Sequence, residues 1–179
     1  MKSIYTIGHS TRTLEEFIEM LQSFEIQHLV DIRGLPGSNK YPQFNKENLG
    51  VVLPEIGIAY THLTLLGGRR KVHKDSKNTR WHNESFRAYA DYMETPDFEK
   101  GIAQLIAIAE KETTAYMCAE VVWWRCHRSM ISDYLKVKGW QVNHIMGIGK
   151  REPHRYTAPA RIIGDKVMYY DDKDNLLID

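Results

Sequence analysis

Cysteine is scarce in this sequence, with two in 179 residues, and two thiols cannot staple a chain of this size into a disulfide framework. They are expected as thiols, thiolates or ligands in a reducing compartment. Long apolar runs are missing as well. No segment approaches the roughly 18 apolar residues of a membrane span, and the opening MKSIYTIGHS has too short an apolar stretch for a secretory signal. The expectation is a soluble, cytoplasmic protein with no membrane partner. Glycine-rich phosphate loops are also lacking. GIGKRE at 147–152 fits neither the Walker spacing nor the GxGxxG turn, which argues against ordinary ATPase and dinucleotide chemistry. With no repeat, low-complexity tract or linker, and 42% hydrophobic residues, the chain reads as a single domain over residues 1–179.

A charge excess of one sign is absent from the sum, +1, but present locally. Residues 67–82 carry Arg69, Arg70, Lys71, Lys74, Lys77 and Arg80 against Asp75 alone, with Trp81 and two histidines interleaved. Residues 165–179 lean acidic, with five aspartates against two lysines. The basic run reads either as a solvated loop or as a phosphate-facing one, where cations beside an aromatic face suit a nucleotide or nucleic-acid strand.

What is present is an alternation of strand and helix patterns. SIYTI, HLVDIR, IAYTHL, TAYMCAE and QVNHIM read as strands. Thr13 with Glu16 three residues on forms a capping box before Leu14, Phe17, Ile18 and Leu21, which share a helical face. Thr95 and Pro96 read as a cap and first helical position, and Asn45 and Ser85 as two further caps. Strands spaced by helices predict a three-layer, mostly parallel sheet with helices on both faces. ARIIGDKVMYY, turning at Gly164 and Asp165, predicts a C-terminal hairpin.

Ligands of such sheets sit beyond the carboxyl ends of the strands, so the residues just after each strand are informative. They are polar throughout: Gly8, His9 and Ser10 after the first strand; Asp31, Arg33 and Ser38 at and after the second; His62 at the third; Cys118, Glu120 and Cys126-His127-Arg128 after the fourth; His144, His154 and Arg155 at and beyond the fifth. One cluster per strand is what a binding site requires. Met130, Ile131, Tyr134 and Leu135 recur at helical spacing, which puts Cys126 at or before a helix N-terminus, where free N–H groups and flanking arginines favour a thiolate. Cys126 is the candidate nucleophile, His9 and His127 are candidate acid/base groups, and Asp31 and Glu120 would orient them. Ser10, Arg33, Ser38, Arg69, Arg70, Arg128, His154 and Arg155 are candidates for anion binding. Cys118, inside an apolar strand, reads as a buried small hydrophobe. Trp123 and Trp124 suit packing or base stacking. Zinc held by Cys118, Cys126, His127, Glu120 and His9 is an alternative, although the cysteine spacing does not fit paired-cysteine zinc modules, and no metal ligand is assigned.

The sequence resembles the bacterial and archaeal proteins grouped as domain-of-unknown-function family 488. The motifs that carry the resemblance are TIGHS at 6–10, DIR at 31–33 with Pro36 and Ser38, LGGRR at 66–70, SFRAYADYM at 85–93, CAEVVWWRCHRSMISDYL at 118–135 and HIMGIGKREPHRYT at 144–157. The resemblance implies a Rossmann-like α/β fold and a site built from the GHS, DIR, CAE and CHR motifs, with no established activity. Two functions remain open. One is a thiol- or histidine-dependent transferase or hydrolase acting on a phosphate-bearing or nucleotide-like substrate; the other is a non-catalytic nucleotide or nucleic-acid binding module. The partner is expected to be an anionic small molecule or nucleic acid, and no cofactor or oligomeric state is implied.

Overall fold

A computed structural model of the chain describes residues 2–171. The strands and helices alternate as expected: β1 (Ser3–Gly8), α1 (Leu14–Ser23), β2 (His28–Asp31), α2 (Lys46–Glu55), β3 (Ala59–His62), α3 (Glu84–Tyr92), α4 (Pro96–Lys111), β4 (Thr114–Cys118), α5 (Arg128–Val137) and β5 (Gln141–Gly147). Two antiparallel pairings follow: β6 (Lys150–Pro153) folds back on β5, and β7 (Arg161–Ile163) pairs with β8 (Lys166–Met168). The main sheet runs β3-β2-β4-β1-β5-β6, parallel except for β6. This is a Rossmann-like three-layer sandwich with the expected C-terminal hairpin. No helix among the described residues is long and apolar enough to cross a membrane. Of the acidic C-terminal segment, Asp172, Asp174 and Asp179 lie outside the described residues.

Local chemistry explains the element ends. The Thr13 hydroxyl accepts the N–H of Glu16 and starts α1, whose Phe17, Met20 and Leu21 are fully buried, each worth about 2 kcal/mol of apolar burial. Thr95 caps α4 by accepting the N–H of Phe98, with Pro96 at the first helical position. The other two caps differ from expectation. Asn83, not Ser85, caps α3, because its Oδ1 accepts the N–H groups of both Ser85 and Phe86. Asn45 sits at the N-cap of α2 but makes no cap bond; its Oδ1 accepts the N–H of Ser38 and closes the preceding loop instead.

Side-chain alternation along each strand divides the core in two. Ile7, Leu29, Ala115, Met117 and Ile145 face α1 and α2. Ile4, Val30, Tyr116, Cys118 and Val142 face α3, α4 and α5. The helices that follow β1 and β2 cover the first face, whereas the helix that follows β4, lying between those strands, covers the second. The chain therefore parts on either side of the carboxyl end of β4, which is where open α/β sheets form their ligand crevice.

Candidate functional site

One side of that crevice is closed by backbone. The N–H groups of His9 and Ser10 donate to the carbonyls of Cys118 and Ala119, extending the β1–β4 ladder past the last paired residues. Gly8 lies so close to the loop after β4 that a Cβ there would stand 1.7 Å from the Glu120 carbonyl oxygen. Ser10 turns away with φ of 50°. The other side is open. A cleft of about 610 Å³ is walled by Arg33, Gly34 and Leu35 beyond β2, by Gly68, Arg69 and Arg70 beyond β3, and by Glu120 and Arg125 of the loop after β4. Cys118, Cys126 and His127 line it too.

The two sulfurs meet. Cys126 Sγ lies 2.8 Å from Cys118 Sγ, although the two stand eight positions apart in sequence. The N–H of Arg128 donates to Cys126 Sγ at 3.2 Å, so this thiol plays the part of an N-cap side chain for α5. His127 Nε2 faces the Ile32 carbonyl at 3.1 Å, a contact in which the ring nitrogen donates, and this leaves Nδ1 as an acceptor 3.8 Å from Cys126 Sγ. Gly68 makes room for that ring, since a Cβ there would stand 2.5 Å from Nδ1.

A family model described as "Domain of unknown function DUF488" matches residues 13–135, more than half of the chain. The chain belongs to the DUF488 family. No curated protein and no solved structure matches it. The matched span holds both cysteines, His127, Arg128, the DIR residues and the basic segment, while His9, Ser10, His154 and Arg155 fall outside it. Within DUF488 the chain is thus matched over most of what lines the cleft.

Electrostatics single out the sulfur pair. Arg128 is 1% exposed; it donates from Nη2 to the Glu120 and Val121 carbonyls and, among the described residues, has no carboxylate partner. It is not among the residues that line the cleft, where the sequence reading expected it to hold an anion. Its charge acts on the sulfurs instead. Burial pushes the Cys118 thiol up, but the S–H of Cys126, the Arg128 charge and the backbone at Glu120 outweigh this and leave it at about 7. Burial, then the neighbouring sulfur, push Cys126 well above the usual thiol range. The two thiols titrate as a coupled pair, with Cys118 the first to lose its proton. The expected division, a reactive Cys126 and a shielded Cys118, is therefore not what the geometry gives: both are buried, both line the cleft, and Cys118 is the more acidic.

His9 and Asp31 serve Arg33. Asp31, with no exposure, accepts from Arg33 Nε, Nη2 and backbone N–H and from the Tyr60 hydroxyl. His9 Nδ1 donates to the Ser10 carbonyl, so Nε2 accepts from Arg33 Nη1 at 3.1 Å, with the ring stacked on Phe44. Burial lowers the pKa of His9 to about 4, and burial likewise takes His127 to about 4. Both imidazoles are neutral near pH 7. Arg33 is the product of this arrangement: a guanidinium held in a bidentate ion pair at the cleft wall. Arg70 is also committed, to the Gly67, Thr64 and Leu65 carbonyls and over the Tyr92 ring. Arg69 and Glu120 are both exposed and both line the cleft.

The remaining candidates lie elsewhere. Ser38 accepts the N–H groups of Lys40 and Tyr41 and shapes a turn. His154 is buried between His144 and Asp133, in a chain of hydrogen bonds running on to Thr6, Thr157 and Tyr169. Arg155 lines a separate groove with Trp81, Trp123, Trp124 and Tyr156. Trp123 is packed flat on His144 at 4.5 Å, a structural role, whereas Trp124 is half exposed. Among the described residues no group of three or more His, Cys, Asp or Glu is arranged to hold a metal ion, so the zinc alternative has no ligand set there. Sequence reasoning set Cys118 among the residues at the strand ends and among possible zinc ligands but read its thiol as a buried small hydrophobe rather than a nucleophile; its place as the last residue of β4 was the signal that pointed to it.

Proposed function

We propose that this protein is a thiol-dependent enzyme, a transferase or hydrolase, acting on a phosphate-bearing or nucleotide-like substrate in the cleft beyond β4. The observation that carries the reading is Arg128, a buried cation with no carboxylate partner among the described residues, whose charge acts on two touching thiols that line the cleft. A buried charge is costly unless something complements it, and a thiolate on Cys118 does so. Cys118 then supplies the nucleophilic electron pair, and Cys126 keeps its own proton where a leaving group can take it. His127, neutral and with Nδ1 towards Cys126, is the acceptor next in reach. Arg69 and Arg125 present donors to an anionic substrate group, and Arg33, engaged by Asp31, His9 and the Phe44 carbonyl, adds its charge at the wall. Glu120 and the basic segment after β3 set charge at the rim. His9 and Asp31 position Arg33 and do not touch the substrate.

The test is calorimetric titration with pyrophosphate and with nucleoside mono- to triphosphates, followed by a search for turnover of whatever binds. Binding is expected to weaken with salt and in Arg69→Ala plus Arg125→Ala, while Cys118→Ser keeps binding and loses turnover. No salt-sensitive binding of any phosphate compound would sink the reading. Binding with no thiol-dependent turnover would replace it with the non-catalytic binding module.

A further inference from the structure

We propose that Cys118 and Cys126 form a peroxide-reactive pair that closes into an intramolecular disulfide. The motivating geometry is the 2.8 Å separation of the sulfurs, against about 2.05 Å in a disulfide, so closure needs only a small approach. Backbone pins both residues. Cys118 ends β4 in register with Gly8, and its carbonyl accepts the His9 N–H. The Cys126 carbonyl accepts both the N–H and the hydroxyl of Ser129 at the start of α5. The strand end and the helix start thus hold the sulfurs face to face, and bond formation requires side-chain rotation rather than movement of an element. Cys118 and Cys126 are 3% and 7% exposed, but both line the open cleft, which admits a small oxidant.

The reactant is hydrogen peroxide or a small hydroperoxide. The first sulfur gives its electron pair to a peroxide oxygen, the O–O bond breaks, and the departing hydroxide takes the thiol proton to leave as water, giving a sulfenic acid. The second sulfur then displaces the sulfenic oxygen; an S–S bond forms, the S–O bond breaks, and the oxygen leaves as water with the second thiol proton. In sum two thiols are oxidised, one peroxide is reduced and two waters form. A resolving thiol in contact outruns further oxidation to sulfinic acid. With a phosphate substrate absent, this chemistry is independent of the enzymatic reading, although closure would withdraw the nucleophile that reading requires.

The experiment titrates the folded protein with hydrogen peroxide and follows free thiols and intact mass. Because the chain has two cysteines, the readout is unambiguous: both thiols vanish together, the mass falls by about 2 Da, and dithiothreitol restores both values. In Cys126→Ser the Cys118 sulfenic acid has no resolving partner, so dimedone labelling of Cys118 should rise about fivefold or more over the wild type. Three outcomes overturn the proposal: both thiols persisting in the folded chain at peroxide levels that oxidise the urea-unfolded chain, a gain of about 32 Da marking sulfinic acid, or disulfide-linked dimers in place of the internal bond. Each leaves the phosphate-binding test above unaffected.

Discussion

At Cys118 two opposing effects act on one sulfur. Burial alone raises a thiol pKa, and Cys126 shows that direction. Cys118 escapes it because it receives a hydrogen bond from the Cys126 S–H and feels the Arg128 charge, which together bring it to about 7. A prediction follows from that balance. Iodoacetamide labelling of the folded protein, read peptide by peptide against pH, should modify Cys118 with a midpoint near 7, and Cys126→Ala should raise that midpoint by removing the donor. Labelling of Cys126 first, with a midpoint below the ordinary value of about 8.5, would return the nucleophile to Cys126. Much of this was hidden from the sequence. TAYMCAE was legible as a strand and the CHR motif as the run into a helix, but nothing local says that the loop of residues 119–125 brings the two sulfurs together. The inward turn of Arg128 was hidden for a similar reason: the first turn of α5 is buried around its circumference, from Arg128 to Asp133, so no polar face marked its direction.

Elements meet at this site through glycines whose missing side chains let other groups in. At Gly8 the intruder is backbone: the Glu120 carbonyl occupies the space of a Cβ, and neither β1 nor the loop after β4 can retreat without breaking the ladder that His9 and Ser10 continue. Gly8→Ala should therefore cost about 3 kcal/mol or more, seen as a large fall in the urea midpoint at unchanged slope. At Gly68 the intruder is the His127 ring, which can rotate. Gly68→Ala should lower stability by about 1 kcal/mol or less while changing the rate of thiol alkylation, because it pushes Nδ1 from its place 3.8 Å from Cys126. If the two substitutions had equal effects on stability, the distinction between a fixed and a movable neighbour would be wrong. The sheet itself was legible at this scale, since alternation and caps revealed β1 to β5 and the helices between them. β6 was not: Lys150–Pro153 is short, mostly exposed and charged, and pairs only because the turn at Ile148 and Gly149 returns it to β5. His9 and Asp31 were placed at the right strand ends, but their service to Arg33 depends on side chains brought from separate strands, which spacing cannot show.

Across the whole molecule the buried histidines make stability a function of pH. His9 and His127 are held neutral down to about pH 4, and His144, buried beside His154, down to about 2. His28 is shifted in the same direction, chiefly by burial. In the unfolded chain each imidazole takes its proton near 6.5. Between 6.5 and 4 the unfolded state therefore binds more protons than the folded one, and linkage makes unfolding free energy fall as pH falls through that window. Each such group contributes at most about 1.4 kcal/mol per pH unit, so His9, His127 and His144 together set an upper bound of about 4 kcal/mol per unit, against a total stability on the order of 5–15 kcal/mol. Urea midpoints measured at half-unit steps should drop steeply from pH 6.5 to 4, and flatten below 4 as far as His9 and His127 are concerned. His127→Gln, whose amide can still donate to the Ile32 carbonyl, should make the descent shallower by about one proton without moving the midpoint at pH 7. A midpoint that stays level from pH 7 to 4.5 would mean that these rings protonate in the folded state without cost. The neutral His127 beside Cys126, and the neutral His9 accepting from Arg33, would then both have to be abandoned.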